Sequence, residues 1–198
     1  MCIRDSNATW GGTATMGSLH VAGATISSDA NNKTLAGSIY VDGPSTLRGY
    51  GSDAGRSFTI NAPFYGSQRI TFTTNGTAPG PVYITGDSRA TAFSGGWTIQ
   101  GGTLSLQNAL GLGDGTGPLT IAAAGPKLYY EAAYTVTNSA LTLGSDTFAD
   151  GTYSITNTYV SRQANSVNFT NFFTRKAGVN DGWVVVKGRP SGTVFKFR

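Results

Sequence analysis

Between positions 19 and 143 the chain repeats one small pattern. An apolar residue, a polar or small one and a second apolar residue are followed by Gly, Pro, Asn or Asp. Leu19-His20-Val21, Phe58-Thr59-Ile60, Val82-Tyr83-Ile84, Trp97-Thr98-Ile99, Leu104-Ser105-Leu106, Leu119-Thr120-Ile121, Leu128-Tyr129-Tyr130 and Leu141-Thr142-Leu143 are examples. Alternation with period two predicts short strands with one apolar face. Such runs recur every 7 to 15 residues. No segment sustains a 3.6-residue apolar period, so no helix is predicted, and Ala122-Ala123-Ala124 is too short to be one.

The stretch from Phe93 to Ile121 is the best-formed unit. Trp97-Ile99 and Leu104-Leu106 meet at Gly101-Gly102, and a turn rich in glycine, Gly111 to Gly117, leads to Leu119-Ile121. Strands of three residues cannot bury a face alone, whereas stacked copies can. Three runs make a rung of roughly 20 to 30 residues, within the range of solenoid repeats. A β-sandwich is the alternative, but its two-residue hairpin turns are few, Asn75-Gly76 and Asp150-Gly151 being the best.

The rhythm changes after Leu143. A polar stretch sprinkled with aromatics, Thr156 to Asn180, precedes the strong β-run Trp183-Val184-Val185-Val186. An exposed last rung is an open edge, so an atypical cap is expected there, with Phe169, Phe172, Phe173 and Trp183 covering the end. The expected organisation is rungs over 7–143 and a capping region with a tail over 144–198. Residues 1–6, MCIRDS, look like a translated sequencing-adaptor artefact of metagenomic assembly, so the chain is expected to be a fragment that has lost its true N-terminus.

Composition sharpens this picture. Gly is 28 of 198 residues without a three-residue period, which fits many tight turns and excludes collagen. Only 12% of residues are charged, as suits a ladder in which like charges would stack about 4.8 Å apart. The net charge is +4, and Arg175, Lys176, Lys187, Arg189, Lys196 and Arg198 gather near the end. Clustered bases interleaved with aromatics are missing, so nucleic acid is not an expected partner. One cysteine, Cys2, allows no internal disulfide and no cysteine metal cluster. No run of 18 apolar residues crosses a membrane, and no export signal is visible.

The stretch GGWTIQGGTLSLQNALGLGDGTGPLTIAAAGPKL resembles the autotransporter-associated β-strand repeat. The matching elements are Gly95-Gly96, Gly102-Thr103-Leu104, Asn108, Leu112-Gly113 and Leu119. STLRGYGSDAGRSFTINAPFYGS is similar to rungs that precede that repeat, and FADGTYSI followed by GWVVV looks like the C-terminal end of such passengers. The resemblance spans most of residues 35 to 190. It implies a right-handed single-stranded parallel β-helix, exported and displayed at the bacterial surface, and it brings no catalytic residues.

Candidate chemistry is sparse. His20 is the only histidine, and the Gly-x-Ser-x-Gly elbow of a serine hydrolase is absent. Glu131 is the only glutamate, and Asp42, Asp53, Asp87, Asp114, Asp146, Asp150 and Asp181 sit in turn-like segments. GLGDGTGPL, from Gly111 to Leu119, is superficially like a calcium nonapeptide, but one carboxylate is a poor calcium site and a turn is expected. Tyr129, Tyr130 and Tyr134, near Glu131, are the candidate glycan contacts, with Tyr129 and Tyr130 on opposite faces of one strand.

The expectation is therefore a non-enzymatic exported surface protein, a rigid passenger, stalk or adhesin-like β-helix. A polysaccharide lyase or glycosidase on the same scaffold, or a carbohydrate-binding module, is the alternative. No cofactor or metal is expected, and a monomer is. Partners would be surface glycans or host or matrix components, met outside the cell or on the bacterial outer surface.

Overall fold

The structure, a computed structural model, describes residues 2–4, 7–8, 13–27, 32–50, 57–75, 80–88, 90–125 and 127–188. Asp53, Gly76, Arg189, Lys196 and Arg198 lie outside them. The chain is a β-solenoid whose rungs contribute strands to parallel sheets. Sheet 1 stacks Cys2–Arg4, Leu19–Ala22, Ile39–Val41 and Phe64–Tyr65. Sheet 2 stacks Asn7–Ala8, Thr25–Ser27, Ser45–Tyr50, Ile70–Asn75, Trp97–Ile99, Leu119–Ile121 and Leu141–Leu143 in parallel. Sheet 3 stacks Thr13–Thr15, Lys33–Ala36, Phe58–Asn61, Val82–Ile84, Thr103–Leu106, Lys127–Tyr130 and Phe173–Arg175.

The period-two pattern determines what each column contains. On sheet 2 the inward positions Ile26, Leu47, Phe72, Ile99, Ile121 and Leu143 are in register. On sheet 3 Leu35, Ile60, Ile84, Leu106 and Tyr130 form the corresponding column. All eleven are at most 3% exposed. Burying each such side chain is worth about 1.5–3 kcal/mol, so the narrow core stabilises every rung through its neighbours. The residue between each inward pair on sheet 2 is threonine, and Thr25, Thr46, Thr71, Thr98, Thr120 and Thr142 make an unbroken, half-buried outer ladder. A β-branched residue suits that pleated surface and packs against its cross-strand copy.

Corners determine which face each strand joins. Sheet 1 ends at Phe64–Tyr65, and a turn at Ala90–Ala92 stands where the next strand would be. Side chains take over the ladder there. The Phe64 N–H donates to Ser88 Oγ at 3.0 Å, and the Thr91 hydroxyl donates to the Phe64 carbonyl. The Gly111–Gly117 stretch is the corresponding corner one rung on. Gly113 adopts φ +124°, and a Cβ there would lie 2.3 Å from the Phe93 carbonyl oxygen, so both conformation and space require glycine.

The far end differs from the expected boundary at 143. The solenoid continues after a long excursion: Phe173–Arg175 adds in parallel to Lys127–Tyr130, and Trp183–Val186 adds in parallel to Thr135–Asn138. At the near end Cys2–Arg4, set aside from the sequence, pairs with His20–Ala22 as a first-rung strand. Closure comes from reversed strands. Asp146–Thr147 runs antiparallel to Leu141–Leu143, and Gly151–Ser154 runs antiparallel to Trp183–Val186. The hairpin Thr158–Val160 with Ser166–Asn168 folds beside them, followed by the 3-10 turn Phe169–Asn171, the one helical element among the described residues.

Phe169 and Phe172 are buried in this cap as expected, and Phe173 is buried at the start of the last strand of sheet 3. Trp183 is not; it is 40% exposed. Alternation allows only one side of Trp183-Val184-Val185-Val186 to face inward, and pairing of Val184 with Val136 turns the Val184 and Val186 side to the core.

Candidate functional site

The outer column of sheet 3 carries a surface groove. Its register is Thr34, Thr59, Tyr83, Ser105, Tyr129, Thr174. A small residue between two tyrosines leaves a gap, and the gap is a groove of about 350 Å³ lined by Pro81, Tyr83, Thr103, Ser105, Tyr129 and Glu131. Its two tyrosine walls arise two strand spacings apart, about 9.6 Å between backbones.

One edge of the groove is a positioned carboxylate. Glu131 sits on the same side of the strand as Tyr129, two residues on. Its Oε1 accepts from Ser105 Oγ at 3.0 Å, and its Oε2 lies 3.7 Å from Lys176 Nζ. Lys176 is mostly exposed, so that ion pair is weak and leaves carboxylate acceptor capacity free. The Tyr129 phenol is pushed above its ordinary value by partial desolvation, then by the Glu131 charge and by Tyr83. Three polar groups thus meet at one opening.

Sheet 1 shows what a filled column of rings looks like on this scaffold. His20, Tyr40 and Tyr65 occupy successive outward positions. Their ring centroids lie 4.5 Å apart at each step, with interplanar angles of 7° and 16°. His20 faces outward, as its alternation predicts, and its Nδ1 lies 2.8 Å from Asp42 Oδ2. Its ring is stacked on Tyr40 and its Nδ1 is held by Asp42, both of them structural contacts.

Of the three tyrosines singled out in the sequence, only Tyr129 lines the groove. Tyr130 is fully buried, and this overturns its place among the glycan contacts. It completes the aliphatic column that runs through Leu106, and its ring abuts Gly182, where a Cβ would lie 2.2 Å away. Tyr134 lies outside the groove lining, with its hydroxyl donating to the Gln107 carbonyl at 2.7 Å. Tyr83 and Ser105 escape a reading by adjacency because they lie a whole rung or more from Tyr129. The signal was present in register: Val82-Tyr83-Ile84, Leu104-Ser105-Leu106 and Leu128-Tyr129-Tyr130 are aligned triplets.

The Tyr130 hydroxyl is buried and has no hydrogen-bond partner among the described residues. Leaving a donor unsatisfied costs about 1–3 kcal/mol, so Tyr130→Phe is expected to stabilise the fold by about 1 kcal/mol in urea denaturation. Burial also raises the Tyr130 pKa far above the usual phenol value. The folded form therefore keeps its proton while the unfolded chain loses it, so this contribution to stability is intact below about pH 10 and falls as pH rises beyond it. Tyr130→Phe should flatten that alkaline decline, and an unchanged slope would count against the buried phenol as its source.

The other acidic candidates are taken up by local hydrogen bonds. Asp114 Oδ1 accepts from the Thr116 N–H at 2.8 Å and from its hydroxyl at 2.6 Å, which makes Gly111–Leu119 a solenoid corner, as expected. Asp146 binds Ser161 and Asn165, and Asp181 binds Ser154. Among the described residues no three His, Cys, Asp or Glu side chains converge on a point that would hold a metal ion, and no helix is long and apolar enough to cross a membrane. Comparison with known protein families, curated proteins and solved structures finds no match to this chain.

Proposed function

We propose that this chain is a non-enzymatic, rigid spacer of an exported bacterial surface protein, a passenger or adhesin-like stalk. The observation that carries the reading is the continuity of sheets 2 and 3, whose strands stay in register from the first described rung into the cap. Backbone groups of each inner rung bond to the rungs on either side, and such a stack resists bending. The Gly102-Thr103-Leu104 element, which opens a strand of sheet 3, and the Leu112-Gly113 element in the following corner support the likeness to autotransporter-associated repeats, and with it display outside the cell. A glycoside hydrolase would place two carboxylates across one groove; among the described residues Glu131 is the one carboxylate lining the groove on sheet 3.

The test is display. The chain is inserted, with an N-terminal epitope, between a secretion leader and an outer-membrane translocation barrel in a diderm host. The spacer reading expects the epitope on intact cells to be cleaved by added protease while the solenoid stays resistant. An epitope shielded inside the envelope, or a solenoid digested as fast as the epitope, would overturn it.

A further inference from the structure

The groove on sheet 3 has a feature that a plain spacer does not need. Where sheet 1 places three rings in succession at 4.5 Å, sheet 3 places a ring, a serine and a ring in the same kind of column. The middle ring is missing, and the groove of about 350 Å³ lies along that part of the column. Ser105 forms the floor at 1% exposure, while Tyr83 and Tyr129 are half-buried walls.

We propose that this slot binds one neutral hexopyranose unit of a glycan, sandwiched between Tyr83 and Tyr129. Three observations converge on that ligand. The walls arise about two strand spacings apart, so a ring seated midway meets each tyrosine at about the 4.8 Å rung repeat. A pyranose chair is thicker than a flat aromatic ring and fills such a gap better. Tyrosine faces carry the negative lobe of the ring quadrupole, and the C–H groups on both faces of a pyranose present the opposite polarity. Finally, Glu131 is held by the Ser105 hydroxyl at the rim, with lone pairs left to accept from sugar hydroxyls that project from the ring edge. A fixed carboxylate at that edge disfavours uronic acids and selects neutral sugars. The slot would hold a sugar wherever the chain is displayed, so the failure of this proposal and that of the spacer reading are separable.

The test uses the whole chain on an array of plant, fungal, bacterial and animal glycans, followed by calorimetric titration of the strongest neutral binder. Tyr83→Ala and Tyr129→Ala are each expected to weaken binding roughly tenfold or more. Glu131→Gln should weaken it less. Ser105→Tyr supplies the missing ring and is expected to abolish binding while circular dichroism and the melting temperature show the solenoid intact. Tyr40→Ala on sheet 1 should leave binding unchanged. Silence across the array overturns the proposal. So does binding that survives both tyrosine truncations, or that is lost with Tyr40→Ala, or a preference for acidic over neutral sugars.

Discussion

Trp97→Ala is expected to destabilise the solenoid by about 3–5 kcal/mol, measured by urea or thermal denaturation. Trp97 is 2% exposed and stands in the column between Ile70 and Leu119. Its ring meets Phe64 edge-on at a centroid distance of 5.2 Å and Phe93 at 6.3 Å. Its Nε1 donates to the Leu112 carbonyl at 3.1 Å, so the same side chain that fills the core also ties down the Gly-rich corner. Truncation therefore removes packing and orphans a carbonyl together. Trp97→Phe keeps most of the volume and loses the hydrogen bond, so it should cost distinctly less. Equal losses for the two variants would show that the corner bond, rather than packing, dominates. A loss below about 1 kcal/mol for Trp97→Ala would contradict the column described here.

Phe169→Ala is expected to have a comparable cost, about 3–5 kcal/mol, and a second effect that Trp97→Ala lacks. Phe169 is fully buried at the centre of the cap, with ring centroids of Tyr159, Phe148, Tyr153 and Phe173 at 4.9, 5.0, 5.6 and 5.6 Å. Losing that centre loosens the reversed strands that shield the last parallel edges. An uncovered edge pairs with other chains, so the variant should form concentration-dependent oligomers in light scattering. Val160→Ala, at a residue 71% exposed in the same region, should change stability by less than about 0.5 kcal/mol and leave the chain dispersed. A Phe169→Ala protein that is destabilised yet stays dispersed would place edge protection elsewhere.

The strands were legible because their cause is local. In Val82-Tyr83-Ile84 or Leu119-Thr120-Ile121 the apolar pair alone decides which face turns inward, and the structure follows it. Sheet membership was not legible, since it depends on the summed lengths of irregular corners. For the same reason Phe173–Arg175 read as cap and is a rung strand: its partner in sheet 3 lies beyond an excursion that includes the whole Thr158–Asn168 hairpin. Trp183 shows the opposite limit. Bulk and hydrophobicity argue for burial, but register with Thr135 turned it outward. The candidate site divides the same way. Adjacency grouped Tyr129 with Tyr130 and Tyr134, whereas the fold groups Tyr129 with Tyr83 and Ser105, residues that meet only because rungs stack.

The cap stops growth without depending on how many rungs precede it. Asp146–Thr147 and Gly151–Ser154 reverse direction against the strands they cover, so each ends a parallel sheet at its last member and nowhere else. The rungs below are thus interchangeable length units, and the molecule is a ruler graduated in steps of about 4.8 Å. Its spatial period is also its chemical period. Inserting or removing one whole rung between Val82–Ile84 and Lys127–Tyr130 would lengthen or shorten the rod by one step and, in the same event, open or close the interval between Tyr83 and Tyr129. Rod length and the width of that interval are on this scaffold a single inherited quantity.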